Sequence, residues 1–272
     1  MFYFNKFHIM NEAFLIIFLI TFTAAIVVLY FRIGRGSGWK KPKRLLSNKD
    51  RSILSSKVQF YKDLSSDDKK KFEFRAVEFL ENVKVSGVDA KVTRGDELLV
   101  ASGAIIPVFR FKDWQYTGIN EVLLYPGGFN DSFQDGINDD GTDNMGMVGD
   151  GPLDKKMILS KDDLHNGFKN PRSHTNVAVH EFIHLIEKET GATEGVPKLF
   201  AEGNDTAEWA KLAKAEIGKI NAGKSDIIEY AAEDMQEFFA TVSEYFFMDR
   251  EMFRSKHPEL YEFLERMFKI VN

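Results

Sequence analysis

The sequence predicts a helix-rich α+β domain preceded by one transmembrane helix. Three observations predict it: an uncharged run near the N-terminus, apolar residues recurring at helical spacing through much of the remainder, and short β-branched runs bounded by turn residues. The chain has 272 residues, 44% of them hydrophobic, which is ample for a sizeable core. Its 25 phenylalanines against 7 prolines favour helices packed through aromatic rings. With 36 Lys+Arg against 41 Asp+Glu the net charge is −5, so no basic balance points to a nucleic-acid partner and none is expected. The absence of cysteine excludes disulfides, thiolate metal sites and a cysteine nucleophile. Any metal must be held by His, Asp or Glu.

The N-terminal element is residues 13–31, nineteen without a charge. As a helix they extend about 28 Å, close to the hydrocarbon thickness of a bilayer. Lys6 stands before the run, whereas Arg32, Arg35, Lys40, Lys41, Lys43 and Arg44 follow it. By the positive-inside bias, a single-pass membrane protein is expected, with its C-terminal domain cytoplasmic. Residues 32–47 read as a basic, Gly-containing flexible tether, and 48–272 as one domain without repeats or a second linker.

Within that domain, Ser65 followed by Asp68 marks a helix start, and Phe72, Ala76, Phe79, Leu80 and Val83 continue it at helical spacing. Segments around Leu98–Ile106 and Glu121–Tyr125 suit strands, the second ended by Pro126-Gly127-Gly128. Residues 129–151, rich in Gly, Asp and Asn, read as a solvated loop near the site; the terminal Glu and regular ligand spacing of a calcium loop are missing.

Chemistry concentrates in VAVHEFIHLIE, residues 177–187. His180 and His184 are four apart, so on a helix both imidazoles leave one face, one turn above the other, and can take adjacent corners of a zinc tetrahedron. Glu181 then lies beside the metal without ligating it, placed to accept a proton from water that the metal acidifies. His8, His165, His174 and His257 offer no natural third ligand, which leaves a carboxylate. Residues 229–248 show a strong helical pattern in which Glu233, Glu237 and Glu244 fall near one stripe among Phe238, Phe239, Val242, Phe246 and Phe247. Carboxylates among so much Phe carry a large desolvation penalty unless they are paired or bind metal. Geometry favours Glu237 as the third ligand, with Glu244, two turns on, a hydrogen-bond acceptor behind a ligating histidine. Tyr230, seven before Glu237, can donate to a developing oxyanion.

These pieces, taken in order, resemble the Mlc titration factor A family, the glucose-regulated zinc metallopeptidases. The resemblance rests on Leu64-Ser65, Ile106-Pro107-Val108 with Asp113-Trp114, Leu124-Tyr125-Pro126, Ile158-Leu159-Ser160 and residues 176–184. It continues through Glu194-Gly195-Val196-Pro197-Lys198-Leu199 and residues 237–247, and closes on His257-Pro258-Glu259-Leu260-Tyr261. The resemblance implies a zincin-like domain with one Zn2+ ion held by His180, His184 and Glu237, Glu181 as general base, and Tyr230 as transition-state donor. It implies an aminopeptidase-like activity on a peptide or protein substrate. It also implies the alternative of a regulator-binding protein that titrates a transcriptional repressor, with incidental or no peptidase activity. The N-terminal run and the acidic loop at 129–151 depart from the family pattern, which bears on the repressor-binding alternative.

Overall fold

The computed structural model describes residues 21–23, 38–130, 144–149, 154–169, 174–201 and 205–269. The chain divides into two compact units, 1–39 and 40–272. Of the expected spanning run only Thr21–Thr23 are described, as helix, and the rest of it lies outside the described residues, as do residues 32–37 of the expected tether. Among the described residues no helix is long and apolar enough to cross a membrane. The two longest helices among the described residues have 17 residues each, and both interrupt their apolar stripe with Lys, Asp or Glu. A bilayer-spanning helix instead needs about 20 predominantly apolar residues. The expected single-pass membrane location, with a cytoplasmic C-terminal domain and the membrane as partner, is therefore corrected.

The second unit is a helix-rich α+β domain. Helix α1 spans Asn48–Lys57, α2 Gln59–Asp63 and α3 Ser66–Asn82; strand β1 is Lys84–Gly87 and α4 is Arg94–Ile105. Strands β2 (Glu121–Tyr125), β3 (Gly146–Val148) and β4 (Lys156–Ser160) precede α5 (Lys161–Lys169) and α6 (Val177–Thr190). A two-stranded hairpin, β5 (Ala192–Thr193) and β6 (Val196–Pro197), leads to α7 (Asp205–Asn221). The last described elements are a 3-10 turn at Glu229–Ala232, then α8 (Met235–Met248), α9 (Arg250–Lys256) and α10 (Pro258–Met267).

The four-stranded sheet has the order β1-β2-β4-β3. The first three are parallel, with Glu121 opposite both Lys84 and Lys156, and β3 runs antiparallel along the edge of β4. In β4, Met157, Ile158 and Leu159 are all fully buried, which fits a central strand covered on both faces.

Three elements differ from the sequence reading. Leu98–Ile106 belongs to helix α4 and its C-cap, not to a strand. Thr93 and Asp96 form a reciprocal capping box at its start, and Leu98 to Ile105 are buried all round, a pattern whose periodicity does not separate helix from strand. The end of the stretch read as loop contains β3, joined to Phe129 through a bridge from Asn144. The single helix expected over 229–248 is broken at Asp234, whose carboxylate caps the backbone N–H groups of Gln236 and Glu237 and starts α8 there.

Helix α6 lies at the centre, against α4, α5, α8, β3, β4 and β6. Gly103 of α4 allows its closest approach: a Cβ there would stand 2.4 Å from the Ala178 Cβ. On its apolar side Phe182 meets Phe79 and Tyr116 at ring-centroid distances of 5.6 and 5.1 Å. Complete burial of that ring contributes about 2–3 kcal/mol and turns the opposite stripe, with His180 and His184, towards α8.

Candidate metal centre

Helix α6 is set from both ends. Asn176 caps it, its Oδ1 accepting from Val179 N–H at 3.1 Å. Gly191, with φ of +73°, ends it, and its N–H returns to the Glu187 carbonyl at 2.6 Å. Between them the histidine pair stands one turn apart, ring centroids 4.6 Å distant.

The two Nε2 atoms lie 2.9 Å from each other. Glu237, in the first turn of α8, brings Oε2 to 3.1 Å from His180 Nε2 and Oε1 to 3.3 Å from His184 Nε2. Ligand atoms from all three residues lie within 4.8 Å of one another, so the group could hold a metal ion.

The outer nitrogens explain why these inner atoms act as acceptors. His180 Nδ1 donates to Glu244 Oε1 at 2.6 Å, while the other Glu244 oxygen accepts the Asn176 backbone N–H. With Nδ1 carrying the proton, the neutral ring presents a lone pair at Nε2. His184 Nδ1 faces Glu187 Oε2 at 3.6 Å, and Glu187 is held by Gln236 Nε2 at 2.6 Å. Two imidazole lone pairs and a carboxylate converging on one point repel each other unless a cation or a proton lies between them, so the donor set fits a divalent ion.

Charge follows the same pattern. Burial disfavours protonated His180, but Glu244 and Glu237 outweigh it and raise its pKa well above the usual value. His184 is likewise penalised by burial yet pushed up to about 9 by Glu187 and Glu237. Burial raises the carboxyl of Glu237, but the two imidazoles reverse this and hold it well below the usual carboxylate range. In each case the cluster favours a positive charge at its centre.

Glu181 is 7% exposed, and burial raises its pKa despite the attraction of both histidines. Its carboxylate lies against the edge strand: a Cβ at Gly146 would come within 2.6 Å of its Cγ and Oε1. Tyr230 is on the 3-10 turn rather than on the helix of Glu237, with its ring 6.2 Å from that of His180. Burial and the adjacent Glu237 carboxylate hold its phenol well above the usual pKa. A cavity of about 440 Å³ opens here, lined by His180, Glu181, Glu244, Tyr230, Gly146 and Thr241 among others.

Of the residues singled out in the sequence, His180, Glu181, His184, Tyr230, Glu237 and Glu244 come together. Glu233 is exposed and stays outside the group. His165 pairs with Asp96, His257 with Asp226, and His174 stacks on Tyr245; His8 lies outside the described residues. The structure adds Glu187 and Gly146 to this group. Glu187 is readable from its position three after His184, whereas Gly146 lies in a stretch with no strand signal.

A family model described as glucose-regulated metallo-peptidase M90 matches residues 36–269. The chain belongs to that family. Mlc titration factor A of Serratia proteamaculans (strain 568) is 28% identical over 180 residues, 60% of this chain and 65% of the relative. The match thus spans just under two thirds of that relative's length. Mlc titration factor A of Enterobacter sp. (strain 638) is 29% identical over 218 residues, 73% of this chain and 78% of the relative. An uncharacterized protein of Synechocystis sp. is 27% identical over 232 residues, 80% of this chain and 82% of the relative. Membership of the M90 metallo-peptidases supports a metallopeptidase-like function, and the His180–His184–Glu237 group is where a metal fits.

Proposed function

We propose that this M90 protein is a zinc-dependent, aminopeptidase-like peptidase. The observation that carries the reading is the convergence of two imidazole nitrogens and the Glu237 carboxylate beside a buried, non-ligating Glu181. Two imidazoles and one carboxylate would hold a zinc ion through three protein ligands, the number catalytic zinc sites use, where structural sites use four. Held by these residues, a zinc ion would supply Lewis-acid chemistry.

The chain's own residues do the rest. Glu181 takes a proton from the attacking water and returns it to the departing amine. Tyr230 donates its phenolic hydrogen to the carbonyl oxygen as that oxygen turns negative. Glu244 orients His180 and keeps its proton on the outer nitrogen. Among the described residues the strand Gly146–Val148 pairs with β4 alone, beyond the Phe129–Asn144 bridge, so its other edge could hydrogen-bond an extended peptide alongside the cavity.

A second reading draws on the name Mlc titration factor A carried by relatives: a regulatory protein is bound, and peptidase activity is incidental or absent. Zinc content and cleavage of a panel of aminoacyl and peptide reporters, for wild type and Glu181→Gln, separate the two. The peptidase reading requires zinc in both proteins and turnover only in the wild type. A wild type that binds zinc and cleaves nothing on a broad panel transfers the weight to the regulatory reading.

A further inference from the structure

Tyr230 is carried by a single 3-10 turn, closed by Ala231 N–H to the Ile228 carbonyl at 3.1 Å and Glu233 N–H to the Tyr230 carbonyl at 3.1 Å. One turn of such bonds is too weak to fix a side chain by itself. Its placement must come from what flanks it. Downstream, Asp234 caps α8. Upstream, Asp226 stands four residues before Tyr230 and gathers three donors from the C-terminal helices. His257 Nε2 lies 2.7 Å from its Oδ1. The Tyr245 hydroxyl donates to Oδ2 at 2.9 Å, and Lys256 Nζ is 3.2 Å from the same oxygen.

The neighbours are tied as firmly. Ser225 Oγ donates to Glu216 Oε1 at 2.7 Å and accepts from Ile227 N–H at 3.2 Å, and Ile227 is buried. His257, 5% exposed in its side chain, also places Nδ1 3.2 Å from Glu216 Oε1. That contact lacks the geometry of a hydrogen bond, and Nδ1 has no hydrogen-bond partner among the described residues. The ring's one directed bond therefore goes to Asp226. The segment 225–227 is pinned to α7, α8 and the α9–α10 junction, and the chain leaves it directly into the turn that bears Tyr230.

We propose that Asp226 is a positioning residue for the reaction: its pairing with His257 and Tyr245 holds the segment that presents Tyr230 to the metal centre. The inference rests on Tyr230 being the transition-state donor. A double-mutant cycle on the full, zinc-loaded chain tests it, with kcat on an aminoacyl p-nitroanilide reporter as readout and zinc stoichiometry and thermal melting as controls. Tyr230→Phe is expected to lower kcat about 100-fold, the loss of one oxyanion donor. Asp226→Asn is expected to lower kcat about 10- to 100-fold with zinc retained, as a displacement of about 1 Å does. In the Tyr230→Phe background Asp226→Asn should then cost less than about twofold, because there is no donor left to misplace. Tyr245→Phe, which removes one donor without changing charge, should give a smaller loss that also vanishes in that background, and it serves if Asp226→Asn does not fold.

Wild-type turnover in Tyr230→Phe would remove the reading of Tyr230 and this inference with it. A slow Tyr230→Phe combined with losses that multiply in the double variant would overturn only the inference. So would loss of zinc in Asp226→Asn and in Tyr245→Phe, because Asp226 would then support the metal centre itself.

Discussion

At the scale of single residues, the arrangement separates groups of the same type by what surrounds them. Glu233 and Glu237 are four apart, yet only Glu237 meets both imidazoles, and they hold its carboxyl well below the usual range. Glu237→Gln should lower zinc affinity at least tenfold, since a neutral amide is a poor ligand, and Glu233→Gln should leave it unchanged. Zinc titration with a competing chelator reads both, and equal effects would point to a different third ligand. Gly146 acts by what it lacks. A methyl at that position overlaps the Glu181 carboxylate at 2.6 Å, so Gly146→Ala must displace the base while sparing the ligands. Its kcat should fall by about 10- to 100-fold with zinc content intact. Normal kcat would show that the base has room to move.

At the scale of elements, helix α6 is legible in sequence where the 3-10 turn before α8 is not. The spacing of His180, Glu181 and His184 is a local property of one helix, so period alone places the two imidazoles on one stripe and Glu181 beside it. Glu237 is readable as a residue type, a carboxylate among phenylalanines, but its meeting with the histidines is a long-range fact of packing between α6 and α8. Tyr230 lies outside the helix its spacing implied, because Asp234 competes for the backbone donors and starts α8 five residues later. Leu98–Ile106 is helix where its apolar run suggests a strand, for a related reason: a helix buried on all sides has no polar face to show its period. Asn176 links the legible and illegible parts. Its side chain caps α6, and its backbone N–H holds the glutamate that orients His180. Asn176→Ala removes the cap and the Nδ2 contact to Met248 Sδ while keeping the backbone N–H, and loss of the cap costs about 1 kcal/mol in helix and protein stability. Denaturant melts should show that loss together with a weakened zinc affinity, as the first turn bearing His180 loosens. An unchanged affinity would mean that packing against α4 and α8 holds the turn without its cap.

At the scale of the whole molecule, the domain draws its C-terminal helices together through carboxylates as well as aromatic rings. Asp226 joins the segment before the 3-10 turn to α8, α9 and the start of α10. Burial disfavours its charge, but His257, Tyr245 and Lys256 outweigh it and lower its pKa to about 2. Asp50, Asp96 and Glu121 are shifted in the same direction by Arg94, by His165 and by Ser86 with Lys84 respectively, against the penalty of their burial. An acid with a depressed pKa in the folded state contributes stability above its unfolded pKa and loses it as pH falls through the folded value. For Asp226 that window runs from about pH 4 down to about pH 2, and its contribution is on the order of 1–2 kcal/mol, reduced by its partial exposure. Thermal melts at fixed ionic strength should therefore fall steeply across this window. Asp226→Asn should melt lower than wild type at neutral pH, and the difference should shrink towards zero near pH 2, where the native carboxylate is itself being protonated. A difference that stays constant from neutral pH to pH 2 would assign the effect of Asp226 to shape and hydrogen bonding, with no part for its charge.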